Sequence, residues 1–451
     1  MEELKKWNPW WYEERVSEEF RGIYREITDN ILDAVHLRPI KAIVGVRRSG
    51  KSTILYQIID RLIKGGIDAR EILYINLEEP KFLGVEIDDI IQEYIKLTKR
   101  DKRKCYLFLD EIQSKKNWEM WLKREYDIKG FKQIFVSGSS TLTSSDFHKL
   151  LAGRVLLFKV FPLSFKEFLI FRNYSLSNIE YLPAEEIAKI RHFLSEYIEY
   201  GGFPEVVLTP RDEDKVNLLS AYYDAITIKE IISKYKVDPL KVKNLAYYLH
   251  SNISSVYTYS KLRKFTGLSF DAVKHYLQIF EDAFLLFSLP IFSYSVKEQM
   301  NYPRKVYCID TGLRNASAFR FSKDTGKLFE NMIFLEFMRQ KKDIYYWKDK
   351  GEKEIDFVVK EGLKINEIFQ ACYDISEPTV KSRELRGLLK ALKEFSLKKG
   401  VILTENYEYE EKIIKKGEEY RIIYKPIWKW LMEASRRKKK GDLSNEDKDK
   451  I

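Results

Sequence analysis

Short apolar runs alternate with polar, helix-like stretches between Lys41 and about residue 160. Each run is nearly continuously apolar, as expected for strands that are buried on both faces of a sheet. The strand candidates are KAIVGV (41–46), ILYINL (72–77), CYLFLD (105–110), QIFVSG (133–138) and VLLFKV (155–160). Strands that alternate with helices favour a parallel α/β sheet, so we predict an α/β core over residues 39–165.

The segments around this core differ in character. Residues 1–38 read as an amphipathic helical lead-in, with Trp7, Trp10 and Trp11 as expected packing anchors. The later chain shows a helix near 325–341, three strand-like runs within 343–373, a helix near 381–398 and a strand at KGVILTE. The predicted organisation is a lead-in (1–38), an α/β core (39–165), a helical lid (166–235), a compact helical segment with a hairpin (236–300), a mixed α/β domain (301–434) and a disordered charged tail (435–451).

Composition narrows the class of protein. Hydrophobic residues make up 45% and charged residues 33%, as in ordinary globular proteins. Three cysteines are too few for a disulfide framework or a zinc site, which favours a reducing compartment. The charged N-terminus lacks the apolar segment of a signal peptide, and no apolar run has the length of a membrane span. We therefore expect a soluble, cytoplasmic protein whose net charge of +11 is compatible with a polyanionic partner.

The segment from Gly45 to Thr53 has the spacing of a phosphate-binding loop. It matches G-x-x-x-x-G-K-[ST], follows an apolar strand and opens a helix, where a phosphate cradle has to lie. Backbone N–H groups would meet the phosphates of ATP, Lys51 would reach the β and γ phosphates, and the Ser52 hydroxyl would bind Mg²⁺. The predicted nucleotide-binding residues of this loop are Gly45, Val46, Arg47, Arg48, Ser49, Gly50, Lys51, Ser52 and Thr53.

A pair of carboxylates supplies the second part of the predicted site. The apolar run 106–109 leads into Asp110 and Glu111, so both emerge at the carboxyl end of a buried strand. Asp110 is expected to hold Mg²⁺ through its water shell, and Glu111 is expected to deprotonate the attacking water as a general base. We expect this strand to lie next to the one that ends in the loop.

Two further residues have weaker signals. Ser139, in the run Ser137–Ser140 after the next strand, would sense the γ phosphate by hydrogen bonding, with an ordinary Ser/Gly loop as the alternative. Arg154 is a candidate for stabilising transition-state charge, in cis or from a neighbouring subunit. A surface arginine before a strand is the alternative.

With these residues in place, the chain resembles the archaeal-type AAA+ or STAND-related P-loop ATPases that carry a C-terminal domain of unknown function. The resemblance implies an AAA+-like core, a winged helix and a C-terminal domain with a restriction-endonuclease-like, PD-(D/E)XK fold. It implies no particular biological role. The motifs that carry it are GVRRSGKST, LFLDEIQ, VSGSS, LAGR followed by FPLSFKEF, YGGFPE, VYCIDTGL and GKLFEN.

Residues 258–287 have the pattern of a helix-turn-helix. Two helices are joined at Gly267, the second begins after a good N-cap residue, and LLFSLPIFSYS reads as the wing. The second helix carries only one firm positive charge beside several acidic residues, so a role in packing or dimerisation stays open. If the helix reads DNA, its exposed face would present Ser269, Asp271, Lys274 and His275.

The C-terminal part has the helix–strand–strand–strand–helix–strand order of PD-(D/E)XK nucleases, which this resemblance implies. Glu330 and Asp356 match the first two acidic positions of such enzymes. Gln370-Ala371-Cys372 stands where Glu-x-Lys is expected, and an amide is a poor Mg²⁺ ligand. Glu367, an odd number of positions away, is expected on the opposite face of the strand. A degenerate, structural or docking domain is therefore favoured over an active nuclease.

The sequence thus predicts an ATP-driven switch that hydrolyses ATP with Mg²⁺ through Lys51, Ser52, Asp110 and Glu111. Two alternatives stay open. One is an ATP-regulated DNA nuclease that acts through its C-terminal acidic residues, and the other is an ATP-binding scaffold without turnover. The candidate partners are double-stranded DNA, through the winged helix, and further copies of the chain in a homo-oligomer.

Overall fold

The computed structural model describes residues 2–138, 142, 149–176, 179, 181–318, 324–349, 353–415 and 417–434, so Ser139 and the predicted tail lie outside it. The chain forms two compact units, each assembled from three stretches of sequence. The first unit comprises Met1–Leu163, Phe203–Ala246 and Arg263–Phe287, and the second comprises Ser164–Gly202, Tyr247–Leu262 and Ser288–Ile451. The linear domain boundaries given above stay a prediction.

The helices and strands have the following bounds. The α-helices of the described residues are, in chain order, α1 (Glu2–Trp7), α2 (Trp10–Glu13), α3 (Glu18–Arg21), α4 (Glu26–Leu32), α5 (Lys51–Lys64), α6 (Ile87–Thr98), α7 (Trp118–Asp127), α8 (Phe165–Phe171), α9 (Ala184–Tyr200), α10 (Pro204–Leu208), α11 (Asp212–Ala225), α12 (Pro239–Ser251), α13 (Tyr259–Thr266), α14 (Phe270–Asp282), α15 (Val296–Asn301), α16 (Thr311–Ser317), α17 (Thr325–Arg339), α18 (Pro378–Glu394) and α19 (Ile427–Ala434). A π-helix (Ile226–Ser233) follows α11. The strands are β1 (Ile40–Gly45), β2 (Ile72–Asn76), β3 (Tyr106–Asp110), β4 (Gln133–Gly138), β5 (Val155–Val160), β6 (Val256–Tyr257), β7 (Leu286–Leu289), β8 (Arg304–Cys308), β9 (Asp343–Lys348), β10 (Glu354–Glu361), β11 (Lys364–Ala371), β12 (Lys399–Thr404), β13 (Tyr409–Lys415) and β14 (Glu418–Pro426).

The first unit contains a parallel five-stranded sheet in the order β2-β3-β4-β1-β5. All five predicted strands are confirmed, and β1, β3 and β4 are buried along their whole length. The expectation that the strand of Asp110 lies next to β1 is wrong, because β4 lies between them and pairs with both. The strands are parallel, so the loop after Gly45 and the pair Asp110–Glu111 still emerge at the same carboxyl edge.

The N-terminal lead-in covers the free edge of this sheet. Asn8 exchanges two hydrogen bonds with the backbone of Tyr74, at 2.7 and 2.8 Å. The indole N–H groups of Trp10 and Trp11 donate to the carbonyl of Ile72, at 3.3 and 2.8 Å. Trp10 and Trp11 are buried, which confirms them as packing anchors, whereas Trp7 is half-buried. Side chains thus satisfy backbone groups that an open edge strand would expose.

The second unit contains a mixed six-stranded sheet in the order β13-β14-β12-β11-β10-β9. Strands β9, β10 and β11 form an antiparallel meander, and β12 lies parallel to β11. With α17 before the meander and α18 after it, this is the predicted helix–strand–strand–strand–helix–strand order. The hairpin β13–β14 adds two strands that were not predicted. Strand β13 is mostly exposed, and buried and exposed residues alternate along β14.

The predicted helix-turn-helix consists of α13 and α14. Gly267 joins them in a left-handed conformation (φ 69°), and the Ser269 side chain accepts a hydrogen bond from the Ala272 N–H. The predicted wing hairpin within LLFSLPIFSYS is wrong in its second half, because only β7 forms there and α15 follows. The sheet partner of β7 is β8, in a three-stranded sheet of order β6-β8-β7.

The start of the motif YGGFPE (residues 200–202) meets the motif VYCIDTGL (residues 306–313) inside the second unit. The Asp310 carboxylate accepts hydrogen bonds from the N–H groups of Leu313 and Gly202, at 2.9 and 2.7 Å. A Cβ on Gly312 would lie 2.1 Å from the carbonyl oxygen of Tyr200. The glycines therefore allow two backbones to approach closely, which gives both motifs a role in packing.

The described residues contain no helix with the length and apolar character that crossing a membrane requires.

Replacing Gly312 with alanine is expected to destabilise the second unit, because the new methyl group would overlap the backbone of Tyr200. Overpacking of this kind costs about 1–3 kcal/mol, so the midpoint of thermal unfolding should fall. Gly326→Ala is the matched control, since Gly326 is also helical and its Cβ would meet no atom within 4 Å. Calorimetry that gave both variants the same midpoint would contradict this packing.

Candidate functional site

The loop between β1 and α5 has the geometry of an anion cradle. Gly50 adopts a left-handed conformation (φ 91°) directly before Lys51, where α5 begins, and as the N-cap residue it has no side chain that could cap the helix. Ser49 is fully buried, and its hydroxyl has no hydrogen-bond partner among the described residues. Backbone N–H groups of a first helical turn need a partner, and an anion is a suitable one.

Lys51 lies under this loop with its ammonium group buried. The side chain donates to the carbonyl oxygens of Gly45 and Val46, at 3.2 and 3.3 Å, and its ammonium nitrogen lies 3.9 Å from a Glu111 carboxylate oxygen. A Cβ on Gly45 would lie 2.2 Å from the carbonyl oxygen of Val160, so this glycine is required by packing against β5. The lysine therefore lies between the loop and the Glu111 carboxylate that follows β3.

The Asp110 carboxylate is buried at the end of β3 and is surrounded by hydroxyl groups. It accepts hydrogen bonds from the hydroxyls of Tyr74 (2.7 Å) and Ser137, and the Ser52 side chain is close enough to lower its pKa. Burial and the nearby Glu111 raise the pKa of Asp110, while these hydrogen bonds lower it. The strand ends of β2 and β4 and the start of α5 therefore converge on one carboxylate.

Glu111 is held in one orientation beside it. Its backbone has a left-handed conformation (φ 53°), its N–H donates to the Ser137 hydroxyl at 3.1 Å, and its carboxylate accepts from Gln113. The side chain keeps 16% of its surface exposed, so solvent reaches it. The carboxylate can therefore accept a proton from a water molecule at this edge of the sheet.

These residues fit a magnesium ion bound with a triphosphate. The Ser52 hydroxyl lies beside the Asp110 carboxylate, and both offer the hard oxygen ligands that Mg²⁺ prefers. Thr53, also predicted to belong to the site, is half-buried with its methyl group close to Gly22.

Arg47 and Arg48 of the loop form ion pairs with acidic side chains of the first unit. Arg47 lies 3.6 Å from Glu230 of the π-helix and 3.8 Å from Glu78. Arg48, in a left-handed conformation (φ 70°), lies 3.5 Å from Glu205 of α10. These pairs connect the loop to the helices between residues 204 and 233.

Arg154 does not lie at this site. It precedes β5, and its backbone carbonyl pairs with Ile40 at the start of β1, so it lies at the amino edge of the parallel sheet. The length of β1, about 17 Å, separates this edge from the loop. Its guanidinium pairs with Asp127 at 3.0 Å. A role for Arg154 in cis is therefore wrong, because the strand direction places it at the far edge.

Three residues at the site are not identified by the sequence patterns. Tyr74, from a predicted strand, contacts Asp110, and Gln113, the last residue of the motif LFLDEIQ, contacts Glu111. Arg25, which is buried, donates to the carbonyls of Ser49 and Phe161, each at 3.0 Å. Nothing in the sequence indicates that an arginine twenty residues before the loop contacts it, because only folding brings them together.

The predicted DNA-facing residues of α14, namely Ser269, Asp271, Lys274 and His275, are all exposed. Arg263 and Lys264, in the last turn of α13, are exposed as well. The turn between the two helices therefore carries more positive charge than α14 alone suggests.

The two acidic residues predicted from nuclease motifs do meet in the second unit. Glu330 on α17 and Asp356 on β10 both contact the ammonium group of Lys305, at 3.0 and 2.8 Å. The Gln370 amide accepts from the Asp356 N–H at 3.3 Å, so it lies beside the cluster. Glu367 is exposed and lies 3.7 Å from Lys342, in agreement with its expected orientation away from Asp356.

The described residues hold no group of three or more histidine, cysteine or acidic side chains arranged to bind a metal ion.

Comparisons with known proteins assign families to most of the chain. Residues 37–169 match the AAA domain, residues 191–324 match a domain of unknown function (DUF8612) and residues 325–420 match another (DUF4143). The AAA match contains the loop, Asp110 and Glu111. Among solved structures, the Orc1 protein of Aeropyrum pernix in complex with DNA is 11% identical, covers 67% of this chain and 94% of its own, and has a TM-score of 0.32, too low to bear on function.

Two relatives are similar over almost the whole length. Uncharacterized protein MJ1544 of Methanocaldococcus jannaschii is 36% identical over 406 residues, which cover 87% of this chain and 88% of the relative. An uncharacterized protein of Haemophilus influenzae is 30% identical over 409 residues, which cover 87% of this chain and 94% of the relative. The chain therefore carries an AAA domain with a P-loop ATPase fold and belongs to the same family as MJ1544.

Proposed function

We propose that the AAA domain binds ATP with Mg²⁺ and hydrolyses it. The observation that carries this proposal is the convergence of Lys51, Ser52, Asp110 and Glu111 at one edge of the sheet, with Lys51 3.9 Å from Glu111 and the Ser52 side chain beside Asp110. A bound triphosphate offers Lys51 anionic oxygens in place of the loop carbonyls that it contacts. Mg²⁺, held by Ser52 and Asp110, would neutralise phosphate charge, and Glu111 would take a proton from the attacking water.

Two ion pairs of the loop indicate how ATP hydrolysis would change the protein's conformation. The loop arginines Arg47 and Arg48 pair with Glu230 and Glu205, and phosphate oxygens bound at the loop would compete for the same guanidinium groups. We therefore propose that the nucleotide state alters the position of the helices between residues 204 and 233. The proposal for Arg154 is restricted to action in trans, which needs a second copy of the chain.

We also propose that the second unit has a restriction-endonuclease-like fold. The order α17, β9, β10, β11, α18, β12 and the antiparallel, antiparallel, parallel pairing of these strands support that interpretation.

Binding of double-stranded DNA is a second candidate function. Three helices (α12, α13, α14) together with a three-stranded sheet are the elements of a winged helix, and exposed Arg263, Lys264 and Lys274 flank the turn between α13 and α14. Basic side chains on such a turn can contact phosphates of the DNA backbone.

Glu111→Gln is expected to preserve ATP binding and to reduce phosphate release roughly a hundredfold or more, because an amide cannot accept the proton. Single-turnover assays with radiolabelled ATP would separate binding from hydrolysis. Lys51→Ala is the comparison variant, which should lose affinity for ATP instead. Unchanged turnover in Glu111→Gln would reject Glu111 as the base, and binding without turnover in the unmodified protein would favour a scaffold.

Tyr74→Phe is expected to weaken binding of Mg²⁺-ATP on the order of tenfold, because Asp110 loses a hydrogen bond worth about 1.5–3 kcal/mol. Losing this donor raises the pKa of Asp110 further. The carboxylate must be deprotonated to bind Mg²⁺. As the pH is lowered, the affinity for Mg²⁺-ATP should therefore begin to fall at a higher pH than in the unmodified protein. Tyr106→Phe, at the other end of β3, is the control. Calorimetric titrations that gave identical pH profiles for both variants would exclude this role for Tyr74.

Changing Arg263, Lys264 and Lys274 together to glutamate is expected to weaken DNA binding strongly if α13 and α14 form the interface. The salt dependence should also weaken, since the slope of log affinity against log salt falls by roughly 0.9 for each DNA phosphate that the variant no longer neutralises. The control changes three exposed lysines on or after α7, Lys123, Lys129 and Lys132, to glutamate. DNA affinity is measured by fluorescence anisotropy. Equal reductions in affinity for both triple variants would indicate non-specific attraction between DNA and the basic protein, and would favour a packing role for the helices.

A further inference from the structure

Lys305 lies at the centre of a ring of carboxylates in the second unit. Its ammonium nitrogen is 2.6 Å from Glu354, 2.8 Å from Asp356 and 3.0 Å from Glu330, and the side chain is 2% exposed. The lysine comes from β8, whereas the three acids come from α17 and β10. An ammonium group has three N–H donors, so three carboxylates can satisfy it completely.

The charge on Lys305 is stabilised by this ring. Burial opposes the charge, but the carboxylates of Asp356 and Glu330 raise the pKa of Lys305 well above its usual value. Burial, followed by repulsion from Asp356, raises the pKa of Glu330 to about 7. Without the ammonium group, several acidic side chains would lie close together in a buried place with no counter-charge.

The protein also fixes the carboxylates from outside the ring. The Tyr307 hydroxyl donates to Glu330 at 2.7 Å, and the Ala371 N–H donates to the second oxygen of Asp356 at 2.9 Å. The Gln370 side chain accepts from the Asp356 N–H and donates to Glu384 at 2.8 Å. Glu330 and Asp356 are thus held in place around a single central cation, and that cation is the lysine.

The restriction-endonuclease-like fold implies a divalent metal at Glu330 and Asp356, and the residues present do not fit one. A metal ion coordinated by these carboxylates would lie within about 2.0–2.6 Å of their oxygens, in the space that the Lys305 ammonium group fills. Gln370 adds an amide where such a site needs a third carboxylate. The central position is therefore taken by the chain itself.

We propose that Lys305 is the resident cation of this cluster, that it replaces the metal ion of a nuclease-like centre, and that its removal opens a divalent-cation site formed by Glu330, Glu354 and Asp356. The second unit then acts without metal and does not cleave DNA. This proposal rests on the fold proposed for the second unit, and it is independent of whether the first unit hydrolyses ATP.

The test is a titration of Mn²⁺ against the full-length, nucleotide-free protein, followed by the electron paramagnetic resonance signal of free Mn²⁺. Lys305→Ala should bind one more Mn²⁺ than the double variant Lys305→Ala/Asp356→Asn, with at least tenfold higher affinity than the residual binding of that variant. Lys305→Met, which fills the same space without a charge, should gain no such site. A folded Lys305→Ala protein that binds no additional Mn²⁺ would overturn the proposal.

A second comparison needs only the native lysine and decides the matter even if Lys305→Ala does not fold. The unmodified protein and Asp356→Asn should bind Mn²⁺ equally, because Lys305 excludes the ion from the cluster. Loss of one bound Mn²⁺ on Asp356→Asn would mean that a metal binds beside Lys305. The proposal would then be wrong, and Lys305 would supply the lysine that Gln370-Ala371-Cys372 lacks.

Discussion

The burial of the Asp110 carboxylate is the constraint on which the geometry of the first unit depends. A carboxylate loses hydration when it is buried, so it must be surrounded by donors or its charge is lost. Here hydroxyl groups from three different elements surround it: Tyr74 on β2 and Ser137 on β4 donate hydrogen bonds, and Ser52 on α5 lies beside the carboxylate. Satisfying one carboxylate therefore fixes the relative positions of three strand ends and the start of the helix.

Strand β4 lies between β1 and β3, so it separates the strand before the loop from the strand that leads to the carboxylates. Ser137 contacts Asp110 and also receives the N–H of Glu111, so β4 connects the two carboxylates to the strand beside the loop. From the other side, Arg25 binds the carbonyls of Ser49 and Phe161, which ties the loop to the end of β5. The loop is thus supported by side chains distant in sequence, which keeps it preorganised for an anion.

The second unit meets a similar electrostatic problem with a different solution. Glu330, Glu354 and Asp356 are gathered around Lys305, so their charge is compensated by a side chain of the same chain. The neighbouring Asn331 exchanges two hydrogen bonds with the backbone of Cys308, at 2.8 and 3.1 Å, which holds β8 against α17. The motifs VYCIDTGL and GKLFEN therefore belong to one buried polar assembly.

The sequence by itself determined the strands of both large sheets, with β13 and β14 as the exceptions. It also determined the positions of the glycine-containing loop after β1 and of the pair Asp110–Glu111 at the end of β3. These features are local, since an apolar run, a glycine spacing and a strand end are encoded by neighbouring residues. Only the tertiary structure decided that β4 separates β1 from β3, that Arg154 lies at the opposite edge from the loop, and that Tyr74, Arg25 and Lys305 reach buried partners. The physical reason is that strand order and long-range hydrogen bonds depend on how distant segments pack, and no pattern within a short window of sequence records that choice.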